Sequence, residues 1–483
     1  IISAYFQLGA IVFCVPTICG DNNFIWDKAR LINVVHDHCR ASQADNRFSA
    51  ITSANYRYRF FHRDDWFGSN MHQAKLHHRD NLYSFEHLPV ESDVDRCIIA
   101  NLKKNTTMKK MFLLVMTCIS VMGFSQKMEG TENVYQFTPV KENATGAVEN
   151  QCATGTCWSF ATISFLESEI IRKGNKPVDL SEMFNVRVSY TKKADSYVRF
   201  QGKQQFSAGG LSHDVINVLD EYGIVPEAAF TGYVEGKTIY DHTGLDAMLG
   251  STVKTVLESK LNEDSNDWKN SVESILNSGI GELPTTFKYD GKEYTPASFR
   301  DAMKLNASEY VSITSFAHHP FYKPFVLEVP DNWAKGSFYN LPLEEFQKVM
   351  DYAIDNGYTV AWDADVSEKG FSFQHGAAIL PDEKVTKDEM WKKVVAEMPV
   401  SQKSRQLAFD KFETTDDHLM HITGKAKDQN GTTYYITKNS WGPDNKFGGI
   451  QYVSKNYFQM KTVGILLHKD ALPKEIKAKL GIQ

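Results

Sequence analysis

Cysteine is scarce in the part of this chain that reads as an ordered protein. Of the 7 cysteines in 483 residues, five (Cys14, Cys19, Cys39, Cys97 and Cys118) precede residue 126, and only Cys152 and Cys157 follow it. Residues 126–483 therefore cannot be a disulfide-stapled scaffold. A surplus of one charge is also missing: 53 Lys and Arg stand against 59 Asp and Glu, a formal net charge of −6. No basic patch of the kind that grips nucleic acid is present. There is no internal repeat and no low-complexity tract. The longest apolar run lies within Met108–Gln126 and falls short of the roughly 20 residues of a stop-transfer helix. His318-His319-Pro320 and His375 have no acidic or cysteine ligand recurring at metal spacing, so they read as loop histidines, and neither metal nor cofactor is expected. What remains is an ordinary globular composition, long enough for a core of more than one lobe.

The most informative stretch is Asn150-Gln151-Cys152-Ala153-Thr154-Gly155-Thr156-Cys157-Trp158-Ser159-Phe160-Ala161. It puts a cysteine followed by an aromatic residue at the start of an amphipathic helix. There the positive end of the helix dipole favours thiolate over thiol. Gln151, six residues upstream, offers an N–H donor to an oxyanion forming beside that sulfur. Taken alone, the run is equally compatible with a buried structural Cys-Trp pair.

A nucleophilic thiol needs a base, and the base needs an orienting group. Asp416-Asp417-His418-Leu419-Met420-His421 and Tyr434-Tyr435-Ile436-Thr437-Lys438-Asn439-Ser440-Trp441-Gly442 read as two strands joined by a turn at Asp428-Gln429-Asn430-Gly431. His418 is the candidate base, Asn439 its orienter, and Trp441 a shield for the bond between them. His421, three residues on, faces the opposite side of a strand and is the minor rival. Cys152 reads as a partly buried unpaired thiol. Asp363 and Asp365 read as structural support. Asp416-Asp417 would attract a free amino terminus if they lined the cleft, but a solvated turn is the preferred reading.

Gln151 with Cys157-Trp158-Ser159-Phe160-Ala161, then Asp417-His418 with Gly424 six residues beyond the His, then Lys438-Asn439-Ser440-Trp441-Gly442, resembles the papain-like cysteine peptidases. The chain order Cys, His, Asn is theirs as well. In papain and the cathepsins the His and Asn follow the Cys by roughly 130–150 residues, whereas the interval to His418 is far longer. That interval is similar to the bleomycin hydrolase, or aminopeptidase C, branch. So are Gly209-Gly210, Val218–Pro226, Ala361–Val366 and Ser404–Phe409. Two departures stand out: Thr154 occupies the place of a papain disulfide cysteine, and Leu419 replaces a commonly small residue after the His. The resemblance implies an α+β, two-lobed fold with a helical lobe, a β-rich lobe and a largely helical insertion at about 228–330. It implies catalysis by Cys157, His418 and Asn439, an oxyanion donor in Gln151, and support from Trp158 and Trp441. Peptides would be the substrates and aminopeptidase action the activity, with Leu480-Gly481-Ile482-Gln483 as an arm in the cleft and a homohexamer as the assembly. An endopeptidase, or an inactive secreted binding protein of the same fold, is the alternative.

Met108-Lys109-Lys110, an apolar stretch, and Gly123-Phe124-Ser125 together form a bacterial-type signal peptide over 108–125. An exported, periplasmic or extracellular enzyme spanning 126–483 is expected, without a stable membrane anchor after cleavage. Residues 1–107 show no sustained period and are expected to be read-through upstream of the real start. The alternative is a genuine extension whose apolar beginning, Ile1 to Cys19, is itself a membrane or signal segment. Helices are expected from Cys157, after Leu180-Ser181-Glu182, at Ser212–Tyr222, Leu245–Leu261, Trp268–Leu276 and Leu343–Asn356. A hairpin is expected to turn at Asp290-Gly291, with strands at Gly449–Val453 and Thr462–Leu467.

Overall fold

The computed structural model describes residues 3–7, 10–14, 134–234, 236–260 and 267–483. The chain divides into Ile1–Glu129 and Gly130–Gln483. In the first unit β1 (Ser3–Gln7) pairs antiparallel with β2 (Ala10–Cys14). The remainder of 1–107 and the signal-like segment 108–125 lie outside the described residues.

The second unit begins with β3 (Phe137–Glu142) and three helices: α1 (Cys157–Arg172), α2 (Glu182–Arg199) and α3 (Ser212–Glu221). Helix α1 is buried from Cys157 to Ile170, which makes it the central rod of the lobe rather than a surface helix. Ser181 caps α2 by accepting from the Phe184 amide. Helix α3 stops at Gly223, whose φ of +96° and close contact with the Pro296 backbone leave no room for a side chain.

Next come α4 (Thr243–Ser259), α5 (Asp267–Gly279), the hairpin β4 (Phe287–Tyr289) and β5 (Lys292–Tyr294), and α6 (Pro296–Ala302). The hairpin turns at Asp290 and Gly291 with φ of 48° and 76°, as a two-residue loop requires. Leu245, Leu249, Val253, Val272 and Leu276 join the same apolar cluster as Ile163 and Leu166. The helices of the insertion therefore extend the core of the helical lobe.

From residue 310 the chain turns to sheet. Strands β6 (Tyr310–Thr314), β7 (Pro324–Val326) and β8 (Ser337–Asn340) precede α7 (Leu343–Asp355) and β9 (Val360–Ala364). Then come β10 (Phe371–Ser372), β11 (Ala377–Ala378), α8 (Lys387–Met390), α9 (Gln402–Asp410), β12 (His418–Asp428) and β13 (Thr433–Lys438). The chain closes with β14 (Ile450–Ser454), α10 (Lys455–Lys461), β15 (Thr462–His468) and α11 (Lys474–Leu480). The strand order is β10-β11-β14-β13-β12-β9-β15-β6-β8-β7, with β3 also on β12. Because β6 and β7 belong to this sheet, the last part of the 228–330 segment is continuous with the β-rich lobe. Phe346, Trp362, Met420, Tyr435 and Phe458 are central in its core.

The tail differs from the arm that the resemblance implies. Leu480 and Ile482 pack into the β-lobe core, Lys479 bonds Glu345 at 2.6 Å and Glu475 bonds Lys348 at 2.5 Å. These contacts fasten α11 to α7. Apolar side chains at Ile476, Leu480 and Ile482 give the segment a face to bury there, so the physical pull is toward the lobe rather than into a polar cleft.

Candidate active site

Cys157 is the first residue of α1, and its position is braced from both directions. Gln151 Nε2 donates to the Thr154 carbonyl, and Thr154 Oγ1 donates back to the Gln151 carbonyl, each at 2.8 Å. This reciprocal bracket turns the chain just before the helix and holds the Gln151 side chain beside it. Gln151 Oε1 accepts from Ser440 Oγ at 2.6 Å, and its backbone N–H donates to the Ser440 carbonyl at 2.8 Å. The segment leading to the thiol is thus tied to the residue after Asn439. On the other side, the Trp158 indole N–H donates to the Ala208 carbonyl at 2.9 Å. Buried Lys193 bonds the carbonyls of Ser207, Ala208 and Gly209, with its ammonium 5.2 Å from the Trp158 ring centroid.

His418 opens β12. Its Nε2 lies 2.8 Å from Asn439 Oδ1, and that same oxygen accepts from the Ser440 amide at 2.8 Å. The amide contact identifies Oδ1 as the acceptor, so Nε2 carries the hydrogen and Nδ1 of the neutral ring is left as acceptor. The Trp441 ring lies 4.6 Å from that of His418 and is itself flanked by Phe371 and Phe373. These rings keep water from the His–Asn bond. The backbone N–H of Leu419 reaches the Cys157 thiol, which places the sulfur at the first residues of β12. Gln151, Cys157, His418, Asn439 and Trp441 are therefore gathered in one place, with Trp158 supporting the helix start.

The electrostatics differ from the expectation at the helix start. Burial pushes the Cys157 thiol up to about 12; the Leu419 amide opposes this, while Asp416, Asp363 and Asp331 add to it. Burial also draws His418 down to about 4, against the opposing bond from Asn439. Desolvation outweighs the helix dipole because Cys157 is only 8% exposed and His418 4%. In the substrate-free site burial thus works against charge on the thiol and on the imidazole.

The rival residues separate cleanly. His421 is buried behind α1, its Nδ1 2.7 Å from Ser164 Oγ. Cys152 is an unpaired, partly buried thiol. His375 stacks on Trp391. His318 and His319 both reach Glu328, at 3.1 and 2.6 Å. These three side chains are within ligating reach of one another, a grouping not apparent from sequence spacing because Glu328 comes from the next strand region.

Two acidic readings need correction. Asp365 is indeed structural, accepting from the Ser367 and Thr415 amides, and Asp417 caps the same turn. Asp416 is no solvated-turn residue, however: its Oδ2 is buried without a hydrogen-bond partner. Asp363, 4% exposed, meets the Asp416 carboxyl and has no other partner among the described residues. Its strand register puts it directly opposite Leu419. The signal for it was the alternation of β9, where Asp363 shares a face with Ala361, a residue of the core cluster that includes Cys157.

A sequence profile described as "Peptidase C1-like family" matches residues 186–482. An aminopeptidase G of Lactobacillus delbrueckii subsp. lactis is 24% identical over 69% of this chain and 83% of its own length. An aminopeptidase C of the same organism is 24% identical over 74% and 87%. The bleomycin hydrolase of Mus musculus is 20% identical over 73% and 86%. Among solved structures, pepw from Lactobacillus rhamnosis superposes with a TM-score of 0.54 at 20% identity, covering 81% of this chain and 95% of that one. The fold is α+β and papain-like, with a helical and a β-rich lobe.

Proposed function

Because the chain belongs to the peptidase C1-like family, we propose that it is a cysteine aminopeptidase that removes residues from the free amino end of peptides. The observation that carries the mechanism is the His418 Nε2–Asn439 Oδ1 bond of 2.8 Å. It fixes the tautomer that leaves Nδ1 free to accept the thiol proton. Cys157 attacks the peptide carbonyl as His418 takes its proton, and His418 then gives that proton to the leaving amine. A thioester remains, and water activated by the neutral His418 hydrolyses it to the free acid. The oxyanion is held by the second N–H of the Gln151 amide and by the backbone N–H of Cys157. As a first-turn amide, the latter has no acceptor within the helix. Burial disfavours charge on both groups, so His418 serves as the general base that takes the thiol proton as Cys157 attacks.

The aminopeptidase direction is supported by the names of the relatives, aminopeptidases G and C. The test is covalent labelling by an epoxide thiol reagent, with turnover of amino-acid coumarin amides. Both are expected in the parent, and both are expected to vanish in Cys157→Ala. Cleavage of N-blocked peptides alone would make the enzyme an endopeptidase, and failure of the folded parent to label would favour a binding protein. Export rests on the sequence of 108–125. N-terminal sequencing of the native protein is expected to begin at Gln126, and a first residue before Met108 would refute it.

A further inference from the structure

An enzyme that requires a free amino terminus needs an anion placed where that terminus sits. The tail, which the family resemblance would supply for the purpose, is fastened to α7 instead. Beside the nucleophile there is another anion. Asp363 on β9 pairs in register with Leu419, the residue whose amide reaches the Cys157 thiol. Asp416 stands two residues before His418, its carboxyl within hydrogen-bonding reach of Asp363. Apart from each other, Asp363 and the Asp416 Oδ2 have no hydrogen-bond partner among the described residues. Buried polar atoms left in this state are uncommon in folded proteins and mark a missing partner.

Asp331 completes the group. Its backbone N–H reaches Asp416, and its Oδ1 accepts from Gln205 Nε2 at 2.6 Å and Ser207 Oγ at 3.3 Å. The carboxylate lies so close over Gly209 that a Cβ there would be 1.9 Å from Oδ2. The turn carrying it is held shut by Asn332, which bonds the Leu327 and Gly336 carbonyls and the Gly336 amide at 2.7–2.9 Å. Trp333 Nε1 pins it to Asp214 at 2.8 Å. This turn bridges the Gly209 loop of the helical lobe and the approach to β12.

We propose that Asp363 and Asp416, with Asp331 at the rim, form the socket for the α-ammonium group of the substrate. The assignment rests on the aminopeptidase reading and names the residues that enforce it. A cation is called for because two buried carboxyls in contact cannot both ionise unaided, and the nearby protein cations are engaged elsewhere. Lys193 is spent on three carbonyls, and Lys461 on Asp365, Glu368 and the Glu413 carbonyl. An ammonium brings donors to carboxyl oxygens that receive none from the protein outside the pair.

The experiment compares alanyl-coumarin amide with its N-acetyl form in the parent, Asp363→Asn and Asp416→Asn, with circular dichroism and epoxide titration confirming folded sites. The parent is expected to prefer the free amine. In each variant KM for the free amine rises with little change in kcat, and the free-over-blocked ratio of kcat/KM falls on the order of 10–100-fold. Asp331→Asn supplies the same reading should Asp363→Asn fail to fold. A parent that does not prefer the free amine defeats the aminopeptidase reading and this inference together. A parent that prefers it while no folded variant moves the ratio defeats the inference alone. The other source of an ammonium is a lysine side chain. N-acetyl-lysyl-alanyl-coumarin amide cleaved as well as the free-amine substrate, and lost in the variants, would assign the pocket to that side chain and overturn the α-ammonium.

Discussion

Two acidic clusters lie next to the start of the catalytic machinery, and they are built on opposite plans. Around Glu167 and Glu182, both about 95% buried, the protein supplies its own cation. Lys438, at the end of β13, is buried with them, bonds the Gly146 and Ala147 carbonyls, and opposes the rise in the Glu167 carboxyl that burial causes. Glu167 Oε1 also accepts from the Leu180 amide at 3.0 Å. Around Asp363 and Asp416 the two carboxyls meet each other, and Lys193 faces the neighbouring Asp331 instead of the pair. The first cluster is complete in the folded chain. The second is complete only with a ligand, and departures from local satisfaction of this sort concentrate at functional sites.

The harshest way to break the comparison is to remove the resident cation. Lys438→Met leaves Glu167 buried without its partner and strips two carbonyls of their donor. A loss of about 3–5 kcal/mol is expected, as for other broken buried charge pairs. Denaturant unfolding measures it, and a loss under 1 kcal/mol would show that Lys438 does not balance the cluster. Activity should fall as well, since the next residue is Asn439.

A functional deficit in the second cluster should appear as pH dependence of KM. Asp416 is raised to about 7, burial being the first cause and Asp331 the next, with Asp363 and Asp417 also facing it. Below that pH the pair gains its second proton and loses its net charge, so KM for a free-amine substrate rises. Above about 8 the substrate amine itself loses its proton, and KM rises again. The limiting slope is about tenfold per pH unit on each side. An N-acetyl substrate should show no such minimum, and a shared profile would attribute it to His418 or Cys157 instead.

The same pair predicts a smaller effect on stability, with a definite sign. A buried carboxyl whose pKa is raised holds its proton longer folded than unfolded. Between the unfolded value near 4 and the folded one, the native state binds more protons, so stability falls as pH rises. Asp363 is raised well above the ordinary carboxylate range by burial and by Asp416. Asp363→Asn should therefore raise the unfolding midpoint at pH 8 by an amount worth about 1 kcal/mol and leave it unchanged at pH 4. Equal destabilisation at both pH values would make Asp363 a structural residue after all.

Most of the catalytic constellation was legible in the sequence, and the reason is local. Gln151, Cys157, His418 and Asn439 sit in short stretches whose order and neighbours identify them, and the helix stop at Gly223 follows from chain chemistry. What was not legible depends on register and on distant loops. Asp363 reads as support until β9 is laid beside β12, and Asp331 reads as a turn residue until its turn is seen across Gly209. The burial of Cys157 was not legible for a related reason. A helix start is visible in sequence, but the burial that overrides it is made by residues far along the chain.

The mildest change sharpens the comparison from the other side. Glu182 is 4% exposed, and burial, with Glu167 and Glu227 adding to it, pushes its carboxyl well above the ordinary range. Burial thus favours its neutral form, to which glutamine is close in shape and in donor capacity. Glu182→Gln should change stability by no more than about 0.5 kcal/mol, with little pH dependence, because burial favours the neutral carboxyl that glutamine mimics. If Glu182→Gln instead cost about 2 kcal/mol or more with a marked pH dependence, Glu182 would be ionised and would share the charge of Lys438. The cluster would then be an ionic network rather than one charge balanced against one acid, and its contrast with the Asp363–Asp416 pair would narrow to the missing donors alone.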